Sequence, residues 1–321
     1  MPAALEAERV DRGVALLAGL SRAQASRLVE EGRVRVSGPV VRAGSRRLRS
    51  GELLEVDLSG HPPLEPSPPP IAPMASAPSP VAAVVFADKD LVVVDKPARL
   101  VVHPGAGNLQ GTLVQQLVAL FPEISAVGPE DDRPGIVQRL DKGTSGLMVV
   151  ARTAAAREGL VAQLTARSVE REYLAVVHGE LEADEGTVDA PLGRSQSHRV
   201  KMAVVQGGRH ALTHYRAEGR SSSPVPVTLV TCRLETGRTH QVRVHFAAIG
   251  HPVLRDDRYS KPSQLAAARA ALPGLRRPWL HAARLGFTHP VTGEPMQFSS
   301  GLPSDLAETL GPLGLTLPQV R

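Results

Sequence analysis

Cysteine is almost missing: Cys232 stands alone among 321 residues. A single thiol can neither close a disulfide within the chain nor build a thiolate metal cluster. Aromatic side chains amount to only 3% of the chain, so within a hydrophobic total of 42% the packing falls mainly to Ala, Val and Leu. No apolar run approaches the roughly 20 residues needed to cross a bilayer. The first twenty residues interleave Glu6, Glu8, Arg9, Asp11 and Arg12 with apolar positions. They lack the basic start, apolar run and small-residue cleavage site of a secretory signal. These absences predict a reduced, cytoplasmic protein.

Charge is present in both signs, 37 basic against 32 acidic residues, with a net +5 and a pI near 9.8. A mild basic excess suits a polyanionic partner and equally suits an ordinary soluble protein, so it decides nothing alone. Proline, by contrast, is concentrated: nine of the twenty residues from His61 to Pro80 are proline. Such a stretch continues neither helix nor sheet and reads as an extended spacer. The expected organisation is a small domain over residues 1–60, a linker over 61–80 and a large domain over 81–321.

In the small domain, Val10, Val14 and Leu17 give an apolar stripe at helical spacing over Arg9 to Leu20, with Gly19 at its end. Ser21, three residues before Gln24, reads as a capping box opening a second helix that stops at Gly32. Arg33 to Val36 alternates with period two as a strand does, and Glu52 to Leu58 supplies a second strand. Arginines crowd this unit: Arg22, Arg27, Arg33 and Arg35 flank the helix-to-strand junction, and Arg42, Arg46, Arg47 and Arg49 fall within eight residues. A solvated arginine face is the plain reading. The pattern as a whole resembles the small RNA-binding domain first seen in ribosomal protein S-four, which implies phosphate contacts from these arginines.

The large domain shows no internal repeat. A hairpin is predicted from Val84–Phe86 and Leu91–Asp95, and helices over Gly111–Leu120 and Thr153–Arg167. Strands are predicted at Leu147–Ala151, Tyr173–Val177, Val227–Leu234 and Leu280–Phe287. Without regular parallel alternation this is an α+β pattern, expected as a mixed, largely antiparallel sheet preceded by a small α/β-type RNA-binding module.

The densest chemistry lies in Arg139-Leu140-Asp141-Lys142-Gly143-Thr144-Ser145-Gly146, directly before the apolar run from Leu147. A Gly- and hydroxyl-rich turn entering a buried strand can hold a carboxylate at a cleft edge. Basic neighbours Arg139 and Lys142 would favour its ionised form, as a nucleophile or base requires. Taken by itself, the loop equally fits an Asp that only caps backbone N–H groups.

Gly135 through Leu147 closely resembles the signature of RluA/RluD-type pseudouridine synthases, and further segments follow in order. Arg171-Glu172-Tyr173-Leu174 through Gly179 resembles that family's tyrosine strand. Leu234-Glu235-Thr236-Gly237-Arg238-Thr239-His240-Gln241-Val242-Arg243, continuing to Pro252, resembles its basic segment. Leu280-His281-Ala282 with His289-Pro290 resembles its C-terminal strand pair. The resemblance implies isomerisation of uridine to pseudouridine in RNA, needing neither metal nor organic cofactor. It implies Asp141 as catalytic carboxylate, Arg243 as its ion partner, Tyr173 against the target uracil and Arg139 in the space left by a flipped nucleotide. The partner it implies is RNA, ribosomal RNA of the large subunit first and transfer RNA second, with the chain acting as a monomer without an obligate protein partner.

Two positions depart from the pattern: Gln138 where histidine is common, and Arg255 where a glycine usually precedes the aspartate. Histidines 240, 245, 251 and 281 near Asp256 and Asp257 fit no metal-ligand spacing and are expected to be structural or RNA-contacting. A non-catalytic RNA-binding protein on the same fold is the competing reading, disfavoured because Asp141, Tyr173 and Arg243 are all retained. An aspartyl-phosphate enzyme is a remote reading, since the spacing is wrong, no membrane helices accompany the motif and no Gly-rich P-loop is present.

Overall fold

The computed structural model describes residues 8–18, 22–49, 51–59, 80–105, 108, 110–128, 133–195 and 201–317. Two compact units emerge, one within residues 1–77 and one from residue 78 onward. Gly19, Ser21 and the proline-rich stretch up to residue 79 lie outside the described residues.

In the first unit, helices α1 (Val10–Ala18) and α2 (Arg22–Glu30) accompany an antiparallel pair, β1 (Val34–Val36) and β2 (Leu54–Val56), in which Val34 faces Val56. Val10, Val14, Leu28, Val29, Val34, Val36 and Leu48 form its core. Gly32 takes φ +77°, the left-handed conformation that ends α2. Leu17, expected in the apolar stripe, is exposed instead. The inward face of α1 is Val10, Gly13 and Val14, and Leu48 sits so close to Gly13 that a Cβ there would come within 2.6 Å of it.

The second unit is built on a sheet of nine strands among the described residues. Its strands are β3 (Ala83–Ala87), β4 (Leu91–Lys96), β5 (Ser145–Ala151), β6 (Glu170–His178), β7 (Glu185–Asp189), β10 (Leu212–Ser221), β11 (Val227–Leu234), β12 (Leu280–Thr288) and β13 (Pro295–Ser299). The short hairpin β8 (Leu192–Arg194) and β9 (Met202–Val204) stands apart from it. The sheet order is β3-β4-β5-β12-β6-β11-β10-β7, with β13 paired to β12. Only β5 and β12 run parallel, His281 facing Ser145 and Ala282 facing Gly146. The architecture is the expected α+β with a mixed, mainly antiparallel sheet. Every residue of β5 is buried, as its unbroken apolar run predicts for a central strand.

Helices α3 (Leu113–Leu120), α4 (Ala154–Ala166), α5 (Gln241–Ala248), α6 (Pro262–Ala271) and α7 (Ser304–Leu310) complete this unit. Thr153 caps α4 by accepting from Ala156 N–H at 3.2 Å, which stabilises a helix by about 1 kcal/mol. Strands β7 and β10 and helix α5 are not foreseen by periodicity. Their sequences, such as Leu212-Thr213-His214-Tyr215-Arg216, alternate polar and bulky residues only weakly, and partner strands supply their pairing. The main core joins Val92, Val94, Leu117, Met148, Val150, Ala175, Val230, Phe246 and Leu280.

Candidate active site

The Asp141 turn is fixed by its backbone. Thr144 N–H donates to the Asp141 carbonyl at 3.0 Å, and Arg99 N–H donates to the Lys142 carbonyl at 2.6 Å. Gly146, at φ +116°, lets β5 approach β12 so closely that a Cβ would lie 2.2 Å from the Ala282 carbonyl oxygen. Arg277, buried, donates to the Gly143 carbonyl and to Ser145 Oγ, both at 3.2 Å. Two more of its nitrogens grip Asp305 of α7 at 2.6 and 2.7 Å. Ser145 Oγ also meets His281 Nδ1 at 3.0 Å. The loop carrying Asp141 is therefore tied to two other elements of the fold.

From this rigid turn the carboxylate reaches a residue 102 positions later. Arg243 Nη1 donates to Asp141 Oδ2 at 2.9 Å. The same guanidinium holds Asp256 in a two-pronged pair, Nε to Oδ2 at 2.7 Å and Nη2 to Oδ1 at 2.9 Å. Asp256 is fully buried and also accepts the Arg258 N–H at 3.0 Å. Burial works against the Arg243 charge, but Asp256 and then Asp141 more than offset it and hold the guanidinium firmly protonated. The geometry presents Asp141 with a fixed cation, because Asp256 removes the freedom Arg243 would otherwise have. The loop before α5 is locked as well. The Gln241 amide accepts from Thr236 Oγ1 and Arg238 N–H, and donates to the Leu212 carbonyl and Thr213 Oγ1. All four hydrogen-bonding positions of that side chain are used.

Tyr173 lies mid-sheet on β6, opposite Cys232 of β11 and Ala282 of β12, and belongs to the main core. Burial pushes its phenol up to about 12; Arg171 acts to lower it and Asp141 to raise it. The hydroxyl therefore stays protonated through the neutral range. Lys96, at the end of β4, was not foreseen as a site residue. Its side chain is fully buried, with Nζ donating to the Pro97 and Leu100 carbonyls at 3.0 Å each. Burial draws its ammonium down to about 7, while attraction to Asp141 opposes that shift. The sequence signal was a lysine ending the apolar run of β4.

The charges adjacent to Asp141 in sequence behave differently from expectation. Lys142 is exposed and donates to Asn108 Oδ1 at 2.9 Å, and Arg139 is exposed at the surface. The partner of the carboxylate comes from α5 instead, because consecutive residues of a tight turn diverge. In the small unit, Arg27, Arg35 and Arg47 are exposed, Arg35 donating to the Gly38 carbonyl at 3.3 Å. Arg46 is taken up by Glu52 at 2.7 Å and Arg33 by Asp57 at 3.5 Å. The Arg22 side chain lies outside the described residues.

Three of the four histidines hold backbone or loops. His245 bonds Thr213 Oγ1 and the Ala190 carbonyl, His251 the His178 carbonyl, and His281 the Ser145 hydroxyl and Ser300 carbonyl. His240 differs, since its Nε2 stands 3.7 Å from Asp141 Oδ1. Asp88, Asp90 and His289 cluster at metal-ligand spacing. However, His289 Nδ1 accepts from Val291 and Thr292 N–H, so its Nε2 carries the proton donated to Asp88 at 2.9 Å and has no lone pair for a cation. Gln138 leaves its buried Nε2 without a partner among the described residues. Arg255 takes φ +61°, which accounts for the glycine usual there; its side chain folds inward and donates to the Leu275 carbonyl at 2.5 Å.

Comparison with known proteins places this geometry in a family. Residues 90–248 match the RNA pseudouridylate synthase family and residues 8–54 match the S4 domain. The chain is 40% identical over 306 residues, 95% of its length and 94% of the relative's, to the uncharacterized RNA pseudouridine synthase YlyB of Bacillus subtilis. It belongs to the RNA pseudouridylate synthase family. Over 227 residues it is 48% identical to the ribosomal large subunit pseudouridine synthase D of Nitrosomonas europaea, spanning 71% of this chain and 64% of that one. Among solved structures, the human RNA pseudouridylate synthase domain containing 4 superimposes with a TM-score of 0.57 at 27% identity, covering 74% of this chain and 94% of that one. As a member of this family the chain is an isomerase acting on RNA. Among the described residues no helix is long and apolar enough to cross a membrane.

Proposed function

We propose that this synthase isomerises specific uridines of large-subunit ribosomal RNA, with Asp141 as the catalytic carboxylate. The observation that carries the reading is the Asp141–Arg243–Asp256 chain of charge-assisted bonds, assembled from segments far apart in sequence. The isomerisation breaks the bond from C1′ to N1 and forms one from C1′ to C5. The C5 proton leaves and N1 gains one, so no electrons are exchanged. Either an attack on C1′ or removal of the C2′ proton begins from the carboxylate, and the bond from Arg243 Nη1 at 2.9 Å aims it. Tyr173 offers its ring to the detached uracil and its hydroxyl to the final proton removal. Arg139, exposed beside the same turn, fills the space of the flipped nucleotide.

The small unit supplies phosphate contacts through Arg22, Arg27, Arg33, Arg35, Arg46 and Arg47, and the ion pairs of Arg33 with Asp57 and of Arg46 with Glu52 compete with those contacts. Asp141, Arg243 and Asp256 all come from one chain, so a monomer suffices. Ribosomal RNA is favoured because several relatives, from Nitrosomonas, Xanthomonas and Zymomonas, carry the large-subunit name. The test is pseudouridine mapping in cells lacking the gene. One or more large-subunit sites should revert to uridine and return with wild type but not with Asp141→Asn. Survival of every ribosomal site, with loss of a transfer RNA site, would move the substrate to transfer RNA.

A further inference from the structure

Arg243 occupies one oxygen of Asp141, and the other, Oδ1, faces His240 Nε2 across 3.7 Å. Whether that nitrogen presents a proton or a lone pair is decided on the far side of the ring. Tyr259 Oη accepts the Met202 N–H at 3.2 Å and lies 2.6 Å from His240 Nδ1, a position from which its hydroxyl proton can be given to that nitrogen. A neutral imidazole that accepts at Nδ1 carries its proton at Nε2. The ring is neutral because of its surroundings. Burial first, with Arg243 and Arg258, outweighs the pull of Asp141 and Asp256 and takes the imidazole down to about 4.

The ring is also held in place. His240 precedes α5 in the left-handed conformation, at φ +59° and ψ +24°, and meets Tyr259 edge-on with centroids 5.6 Å apart. Tyr259 in turn lies under the Arg243 guanidinium, 5.2 Å from ring centre to Cζ. One tyrosine therefore touches both side chains that face the Asp141 carboxylate.

We propose that His240 is a positioning residue for Asp141: its Nε2–H, kept in that tautomer by the Tyr259 hydroxyl, closes on Oδ1 when RNA fills the site and fixes the carboxylate's rotation. The proposal rests on the reading that Asp141 carries the chemistry. The 3.7 Å gap is the resting separation, and catalytic bonds of this kind tighten once substrate has excluded water. The opposite tautomer would set a lone pair against the carboxylate, and the two would repel.

The test combines single-turnover rates on a uridine-containing RNA substrate with ¹⁵N NMR of the histidine-labelled full chain. Asn accepts the left-handed backbone and can still accept from Tyr259, but it ends short of the Nε2 position; Gln reaches that position. Tyr259→Phe and His240→Asn should each slow the step roughly tenfold to a hundredfold, the worth of one hydrogen bond to a charged group. KM for RNA should stay within about twofold for both, since the two side chains face the Asp141–Arg243 pair. His240→Gln should recover part of the rate. The His240 nitrogens should read as unprotonated Nδ1 and protonated Nε2 in wild type, and this assignment should be lost in Tyr259→Phe. Melting curves confirm that each variant is folded. The idea is overturned if Tyr259→Phe or His240→Asn turns over at the wild-type rate, or if wild type carries its proton at Nδ1. Asp141→Asn separates the two readings: activity in that variant sinks the catalytic carboxylate. An inactive Asp141→Asn beside fully active His240 and Tyr259 variants sinks only the positioning role.

Discussion

Replacing Asp256 by Ala tests how the site is held, because this carboxylate need touch no substrate. It is fully buried, and its removal deprives Arg243 of bonds at 2.7 and 2.9 Å and the Arg258 N–H of a third at 3.0 Å. A buried guanidinium left with one partner costs about 3–5 kcal/mol. At roughly 2–4 °C per kcal/mol for a domain of this size, Tm should fall by about 10 °C. Arg243 would then be free to turn away from Asp141. Losing one oriented charge-assisted bond at the carboxylate should lower kcat at least about tenfold, with KM for RNA little changed. Differential scanning calorimetry and single-turnover kinetics at 25 °C read the two effects separately. A double-mutant cycle with Arg243→Met isolates the pair, and the double variant should be less destabilised than the two singles summed. A folded Asp256→Ala protein with unchanged Tm and kcat would refute the argument that this ion network organises the site.

Other consequences follow from the same geometry. Lys96 has a folded pKa near 7, below its unfolded value, so between about pH 7 and 10 the unfolded chain binds more protons and stability rises with pH across that window. Lys96→Met should flatten this rise, measured as the difference in denaturant unfolding free energy between variant and wild type. Gly146→Ala puts a Cβ 2.2 Å from a backbone oxygen at φ +116°, and should unfold the large unit or cost more than about 3 kcal/mol, read by thermal melting. Arg27→Gln and Arg35→Gln in the full chain should each reduce the salt dependence of RNA binding by about one charge, since both arginines are exposed, whereas Arg46→Gln should lower Tm through loss of Glu52.

Much of this was legible in the residues, and the limits have physical causes. The apolar run of β5 announced a central strand, and the hairpin β3–β4 and helix α4 with its Thr153 cap follow from local rules that the structure obeys. Asp141, Arg243 and Tyr173 were assigned through motif resemblance. The Asp141–Arg243 bond was not derivable from spacing, because it joins residues 102 apart. Local reasoning assigned Arg139 and Lys142 as the neighbouring charges and missed that a tight turn sends them elsewhere. Asp256, Tyr259 and Lys96 were invisible as site residues, since each acquires its role only by burial against groups from other elements. The departure at Arg255 was noticed in sequence, but only its φ of +61° explains why glycine is usual there.

The most direct test of the central claim is tritium release from RNA labelled at C5 of uracil, comparing wild type with Asp141→Asn and adding neither metal nor cofactor. Wild type should release tritium stoichiometrically and Asp141→Asn none, with RNA binding intact in both. Equal release by the two proteins would contradict the role assigned to Asp141, and release by neither from ribosomal or transfer RNA would favour a fold kept for binding alone.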